Sequence, residues 1–170
     1  PVRNDTADLI WSGLVGGNGA DNVLDFYYVP SSAQGTSTLL AGYTSSTDLA
    51  PADGSTFSGM WDGFIARLND NGTALTKVVY FGGAGVDWAT DLLVQDNVAY
   101  IAGHTGSDDF PYTAGAYDSS LGGDDAFLVQ FALNHGNTSQ DLLLRYGTYV
   151  GGGNGAEFPR GLALSGSDIV

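Results

Sequence analysis

A glycine loop that recurs at long, nearly equal intervals limits what this chain can fold into more than any other feature. Gly16-Gly17-Asn18-Gly19-Ala20-Asp21 returns as Gly82-Gly83-Ala84-Gly85-Val86-Asp87 and again as Gly152-Gly153-Asn154-Gly155-Ala156-Glu157, at offsets of 66 and then 70 residues. Downstream landmarks keep their order. Ala41-Gly42-Tyr43-Thr44 is matched by Ala102-Gly103-His104-Thr105, and Asp62-Gly63-Phe64-Ile65-Ala66 by Asp125-Ala126-Phe127-Leu128-Val129. Self-similarity at a fixed period marks a repeat array, in which each unit buries its apolar surface by stacking on a neighbour. The divisions are a polar tail over 1–8, repeats over 9–74 and 75–141, and a partial repeat over 142–170.

Each repeat reads as four short strands. The first is predicted over 9–15, with counterparts at 75–81 and 142–150; the second over 23–29 and 90–95; the third over 38–43 and 98–104; the fourth over 63–68 and 126–133. Aromatic and β-branched enrichment between glycine pairs is a strand signal, and almost no window keeps a 3.6-residue apolar period. The 26 glycines are about twice the usual share of roughly 7% and follow no collagen-like period, so they mark tight turns. Stretches such as Phe127-Leu128-Val129 and Ala99-Tyr100-Ile101-Ala102 are apolar without alternation, which requires both faces of the strand to be covered. The expected fold is therefore all-β: four-stranded antiparallel blades of β-propeller type, about two and a half repeats, open or completed by neighbouring chains. On this reading residues 142–150 and 161–170 belong to one third sheet. The long polar segments over 45–60 and 106–124 are expected on the surface.

With 19 acids against 5 bases, a net charge of −14 argues against nucleic acid or an anionic membrane as partner. The absence of cysteine excludes disulfides and cysteine-based metal or redox sites. No apolar run reaches the roughly 18 residues of a membrane span. Asn-x-Ser/Thr sequons at Asn4, Asn71 and Asn137, with little lysine, suit a glycosylated extracellular surface.

The repeat resembles the seven-bladed β-propeller repeat family, abbreviated SBBP. Tyr80-Phe81-Gly82-Gly83, Ala99-Tyr100-Ile101-Ala102-Gly103-His104-Thr105, Ser107-Asp108-Asp109-Phe110-Pro111 and Gly122-Gly123-Asp124-Asp125-Ala126-Phe127-Leu128-Val129 follow that family's pattern nearly throughout. The likeness covers almost everything after Asp8. The first repeat departs from it, with Leu49-Ala50-Pro51 in place of Phe-Pro and added residues over 31–37. The resemblance implies a bacterial or archaeal surface or secreted protein, and it brings no catalytic residues.

Candidate sites are few. Asp108-Asp109 and Asp124-Asp125 flank one loop, and hard carboxylate oxygens there suit calcium. The glycine loop fits the start of a calcium-binding nonapeptide. Those sites, however, need consecutive copies, so a turn whose acid accepts backbone N–H groups is the expected role. Asn69-Asp70-Asn71-Gly72 lacks the glutamate that closes an EF-hand loop and reads as a turn. Neither His104, on a strand where the first repeat has Tyr43, nor His135, in a polar turn, is placed as a general base. Trp11, Trp61 and Trp88 read as packing aromatics that can also stack on sugars.

Two classes of function follow. One is a non-enzymatic structural or interaction module of a cell-surface or extracellular assembly; the other is a carbohydrate-binding propeller module, with calcium as its cation. The first is favoured, because regular repetition serves scaffolding, whereas a dedicated ligand site makes one copy depart from the others. The apolar end, with Leu162, Leu164, Ile169 and Val170, is read as an open assembly edge. It would be covered by copies of the same chain or by the rest of a longer propeller chain.

Overall fold

In the computed structural model, which describes residues 12–32, 35–49, 55–134, 137, 139–153, 155–165 and 168–169, the apolar runs become antiparallel strands. The first sheet contains β1 (Asp21–Ser32), β2 (Gly35–Thr44), β3 (Asp62–Leu68) and β4 (Leu75–Phe81), in that order across the sheet. The second contains β5 (Asp87–Gln95), β6 (Val98–Thr105), β7 (Asp125–Ala132) and β8 (Leu143–Val150), again in chain order. A hairpin of β9 (Leu164–Ser165) and β10 (Asp168–Ile169) follows. There is no helix among the described residues, and so none long and apolar enough to cross a membrane. The all-β expectation holds at this level.

Local chemistry explains several elements. Asp96 and Asn97, with φ of 49° and 60°, form the two-residue turn that joins β5 to β6, and short polar side chains tolerate that left-handed backbone best. Asn69 to Gly72 is a turn, closed by the Gly72 N–H donating to the Asn69 carbonyl at 3.0 Å. The same irregularity interrupts β1 between Val23 and Asp25 and β5 between Ala89 and Asp91, so the bulge is part of the repeat.

One expectation is overturned. Among the described residues, 142–150 do not share a sheet with 161–165 and 168–169; β8 pairs with β7, from Ala126 opposite Val150 to Ala132 opposite Leu143, and β9 pairs with β10. Each sheet therefore takes its last strand from the start of the next sequence repeat: β4 opens the repeat over 75–141, and β8 opens the partial one. The reason is the connection. After β3 or β7 the chain turns back through a short polar loop, which favours a hairpin, and the glycine loop that follows carries it to the next sheet. Of the strand predicted over 9–15, residues 12–15 are not in a strand and 9–11 lie outside the described residues.

The two sheets are packed face to face. Leu39, Ala41, Ile65, Val79 and Phe81 of the first sheet meet Leu92, Ile101, Phe127, Val129 and Phe131 of the second in one core. Phe81 lies edge-on to Phe127 at 5.8 Å. The other face of the first sheet carries a second core of Leu40, Phe64, Ala66, Val78 and Tyr80, capped by Leu49. Every residue of β3 is buried, which is why its sequence does not alternate. Leu49 does for the first repeat what Phe110 does for the second: their N–H groups donate to the Tyr80 and Tyr149 hydroxyls at 2.8 and 3.1 Å. The loops expected on the surface thus send one anchor inward. Burial pushes the Tyr149 hydroxyl up to about 12.

Candidate functional site

The glycine loops are closed by carboxylates. Asp87, buried at the head of β5, accepts the Gly83 N–H at 2.9 Å, the Thr105 hydroxyl at 2.5 Å and the Ser107 hydroxyl at 2.8 Å. Ser107 Oγ in turn accepts the Gly85 N–H at 2.8 Å, and Asp109 Oδ1 accepts the Ala84 N–H at 2.7 Å. The first repeat rebuilds the cage with Asp21, Thr44, Ser46 and Asp48 around the N–H groups of Gly17, Gly19 and Asn18. Gly17 and Gly83 have ordinary φ; what requires glycine is the approach of the Asp48 and Asp109 carboxylates to the place a Cβ would occupy. Burial raises the Asp87 carboxyl above its usual range despite these three donors, and the charge of Asp109 adds to the rise. The acids of the first two glycine loops, Asp21 and Asp87, are structural acceptors, as expected, whereas Glu157 of the third keeps Oε2 buried with no hydrogen-bond partner.

The acids singled out for calcium are dispersed. Asp108 and Asp124 are exposed, Asp109 holds Ala84, and Asp125 is buried with Oδ2 accepting the Gly122 N–H at 3.0 Å. Among the described residues no three His, Asp or Glu side chains gather as cation ligands do. Asn71 and Asn137 are exposed in the matching β3–β4 and β7–β8 connections, whereas Asn4, Trp11, His135 and Val170 lie outside the described residues. At the predicted assembly edge Leu164 is exposed and pairs with Ile169, and the Leu162 N–H donates to Asp91.

Two features escaped the reading of the sequence. First, the acid at each bulge reaches into the next repeat. Asp25 Oδ2 accepts the Leu92 N–H at 2.9 Å, and Asp91 Oδ2 accepts the Leu162 N–H, with Asp25 and Leu92 in one repeat step matching Asp91 and Leu162 in the next. Burial raises the Asp91 carboxyl, and the hydrogen bond and charge of neighbouring Asp25 raise it further. An aspartate recurring inside an otherwise apolar strand was the available signal. Second, Arg67 of β3 forms a bidentate pair with Asp141, at 2.8 Å to each oxygen.

Aromatic side chains line the junction between repeats. Tyr43 meets Trp61 edge-on at 5.4 Å and Trp88 at 5.2 Å, while His104 meets Trp88 at 5.8 Å and stacks on Phe158 at 4.4 Å. A cavity of about 410 Å³ opens beside Trp88, His104, Gly106, Asp124 and Phe158. His104 is 5% exposed, and neither its Nδ1 nor Trp88 Nε1 has a hydrogen-bond partner. A second cavity, about 620 Å³, lies against the outer face of the first sheet beside Leu14, Val23, Leu40, Leu68 and Leu75. Compared with known proteins, the chain matches no family model and no curated protein.

Proposed function

We propose that this chain is a non-enzymatic structural or interaction module of an extracellular or cell-surface assembly, built as a β-propeller-type array. The observation that carries the reading is the repeated latch in which the Asp25 carboxylate holds Leu92 and the Asp91 carboxylate holds Leu162. A device that only joins one unit to the next, present at successive steps, serves continuation of an array rather than chemistry. Asp21 and Asp87 point the same way, since N–H groups of their own glycine loops and hydroxyls at the ends of β2 and β6 and just beyond engage them. The SBBP-like motifs agree with this reading, and so do the exposed sequons at Asn71 and Asn137.

The outer face of the first sheet supports growth by the same rule. Phe26 and Tyr28 are 66% and 58% exposed, whereas Leu92, the counterpart of Phe26 one repeat later, is 5% exposed beneath the first sheet. The partner is thus another unit of the same kind, in a second copy or elsewhere in a longer chain. Light scattering is expected to show concentration-dependent association that Phe26→Lys with Tyr28→Lys abolishes. Truncation before Gly161 is expected to weaken it as well. A monomer indifferent to both changes would remove the assembly reading. Natural material is expected to exceed the 17.6 kDa sequence mass through glycans; an unmodified mass would dismiss the glycosylated surface.

A further inference from the structure

The latch between repeats has an open end and a closed one. At the bulge position of successive units the chain has Asp25, Asp91 and Gly161, followed by Phe26, Leu92 and Leu162. The Asp25 carboxylate takes the Leu92 N–H and the Asp91 carboxylate takes the Leu162 N–H, so each acid reaches forward to the unit after it. Phe26, the first of the three, donates its N–H to Oδ1 of its own neighbour Asp25 at 2.8 Å, whereas the N–H of Leu92 goes to the unit before it. At the other end of the series Gly161 brings no acid at all. Nothing around Gly161 demands glycine. Its φ lies outside the left-handed range, and among the described residues the one atom within 4 Å of the place a Cβ would occupy is Asp91 Oδ2, at 3.3 Å. A carboxyl beside Asp91 is also no novelty in this fold, since Asp25 and Asp91 already share a hydrogen bond. What the glycine removes is the acceptor for a following unit.

The outer face of the first sheet is where such an acceptor is wanted. Phe26 and Tyr28 stand exposed there, beside Val23 and the cavity of about 620 Å³. One unit later Leu92 is buried against the first sheet and latched by Asp25. The junction that holds Leu92 therefore continues in kind onto Phe26. Any β-unit arriving on this face covers the aromatic rings. Only a unit with an acid at its bulge also takes the Phe26 N–H, in a charge-assisted bond of the stronger class. We infer, on the assembly reading, that the outer face of the first sheet docks a β-unit bearing a carboxylate at its bulge, and that Gly161 withholds that carboxylate from this chain's third unit. The third unit of a second copy then covers the face without latching it, and copies of the chain hold one another weakly.

Adding the acid tests this. In the whole chain, Gly161→Asp is expected to tighten self-association about tenfold relative to Gly161→Ala, followed by light scattering over a concentration series. Gly161→Ala is the reference because it adds the Cβ without the acceptor. Hydrogen exchange is expected to show the Phe26 amide better protected in associated Gly161→Asp than in the parent. Should the charge placed beside Asp91 keep Gly161→Asp from folding, Gly161→Asn carries the same test, since its amide oxygen accepts the bond uncharged. Association no tighter than that of Gly161→Ala overturns the proposal. Tightening that leaves the Phe26 amide unprotected overturns it as well, because the new side chain then acts elsewhere. The assembly reading stands or falls separately, on the parent chain and its Phe26→Lys with Tyr28→Lys variant.

Discussion

Asp141→Ala is expected to destabilise the fold by about 3–5 kcal/mol, the usual cost of stranding one partner of a buried ion pair. For a chain of this size that corresponds to a melting temperature lower by about 6–20 °C. Arg67 and Asp141 have side chains 8% and 6% exposed, so the guanidinium would be left without its bidentate acceptor in a place water barely reaches. The loss is wider than one pair. Asp141 Oδ1 also accepts the Asn134 N–H at 2.8 Å, its carbonyl accepts Lys77 Nζ, and Arg67 holds the Ser37 hydroxyl at 2.6 Å. The pair thus ties β2, β3 and β4 of the first sheet to the turn that precedes β8. Replacing both charges together, as Arg67→Met with Asp141→Leu, is expected to recover only part of the stability, because an apolar pair avoids the cost of the stranded guanidinium while the Asn134 N–H and the Ser37 hydroxyl still lose these partners. Urea denaturation of the two variants beside the parent measures this. A single variant within about 1 kcal/mol of the parent would show that the pair is not the strut described.

How far the sequence could be read depended on how local each feature is. The glycine loops and strands were legible because their causes lie within a few residues, and the role of Asp21 and Asp87 followed from an acid placed four residues beyond a glycine N–H. The strand handover was not legible, since the repeat begins wherever the sequence motif is cut and nothing marks which sheet its first strand joins. Arg67 and Asp141, 74 residues apart, share no pattern that would pair them. The cavity was half legible. Tyr43 and His104 are counterparts in the repeat alignment, and so are Trp61 and Asp124, which precede the matched Asp62 and Asp125; that these positions enclose a cavity with Phe158 in the second repeat is a tertiary fact. The Leu49 departure, by contrast, changed nothing of substance, because Leu49 fills the place of Phe110 and keeps its bond to a buried tyrosine.

Asp87→Ala is expected to cost about 3 kcal/mol at neutral pH, because the Gly83 N–H and the Thr105 and Ser107 hydroxyls lose their acceptor in a buried site. The ionised group that makes these bonds is itself held under strain, and that gives the protein a characteristic pH response. Burial raises the carboxyls of Asp62, Asp87 and Asp91 above the ordinary 3.8, so the folded state binds protons at pH values where the unfolded chain has released them. Each therefore opposes folding above its folded-state pKa. Stability should rise as the pH falls through that value and level off near the unfolded one. Relief of repulsion within a chain of charge −14 acts in the same sense. Asp118 runs the other way: hydrogen bonds from Ser120 lower its carboxyl, so its contribution is lost on acidification below the usual carboxylate range. The melting temperature is accordingly expected to climb as the pH falls from neutral toward the ordinary carboxylate range and to turn over only below that range. Asp87→Asn is expected to flatten part of the climb, since its amide cannot titrate. A melting temperature that falls steadily from neutral pH toward the ordinary carboxylate range, or an Asp87→Asn variant with the full parental slope, would contradict this account of the buried carboxylates.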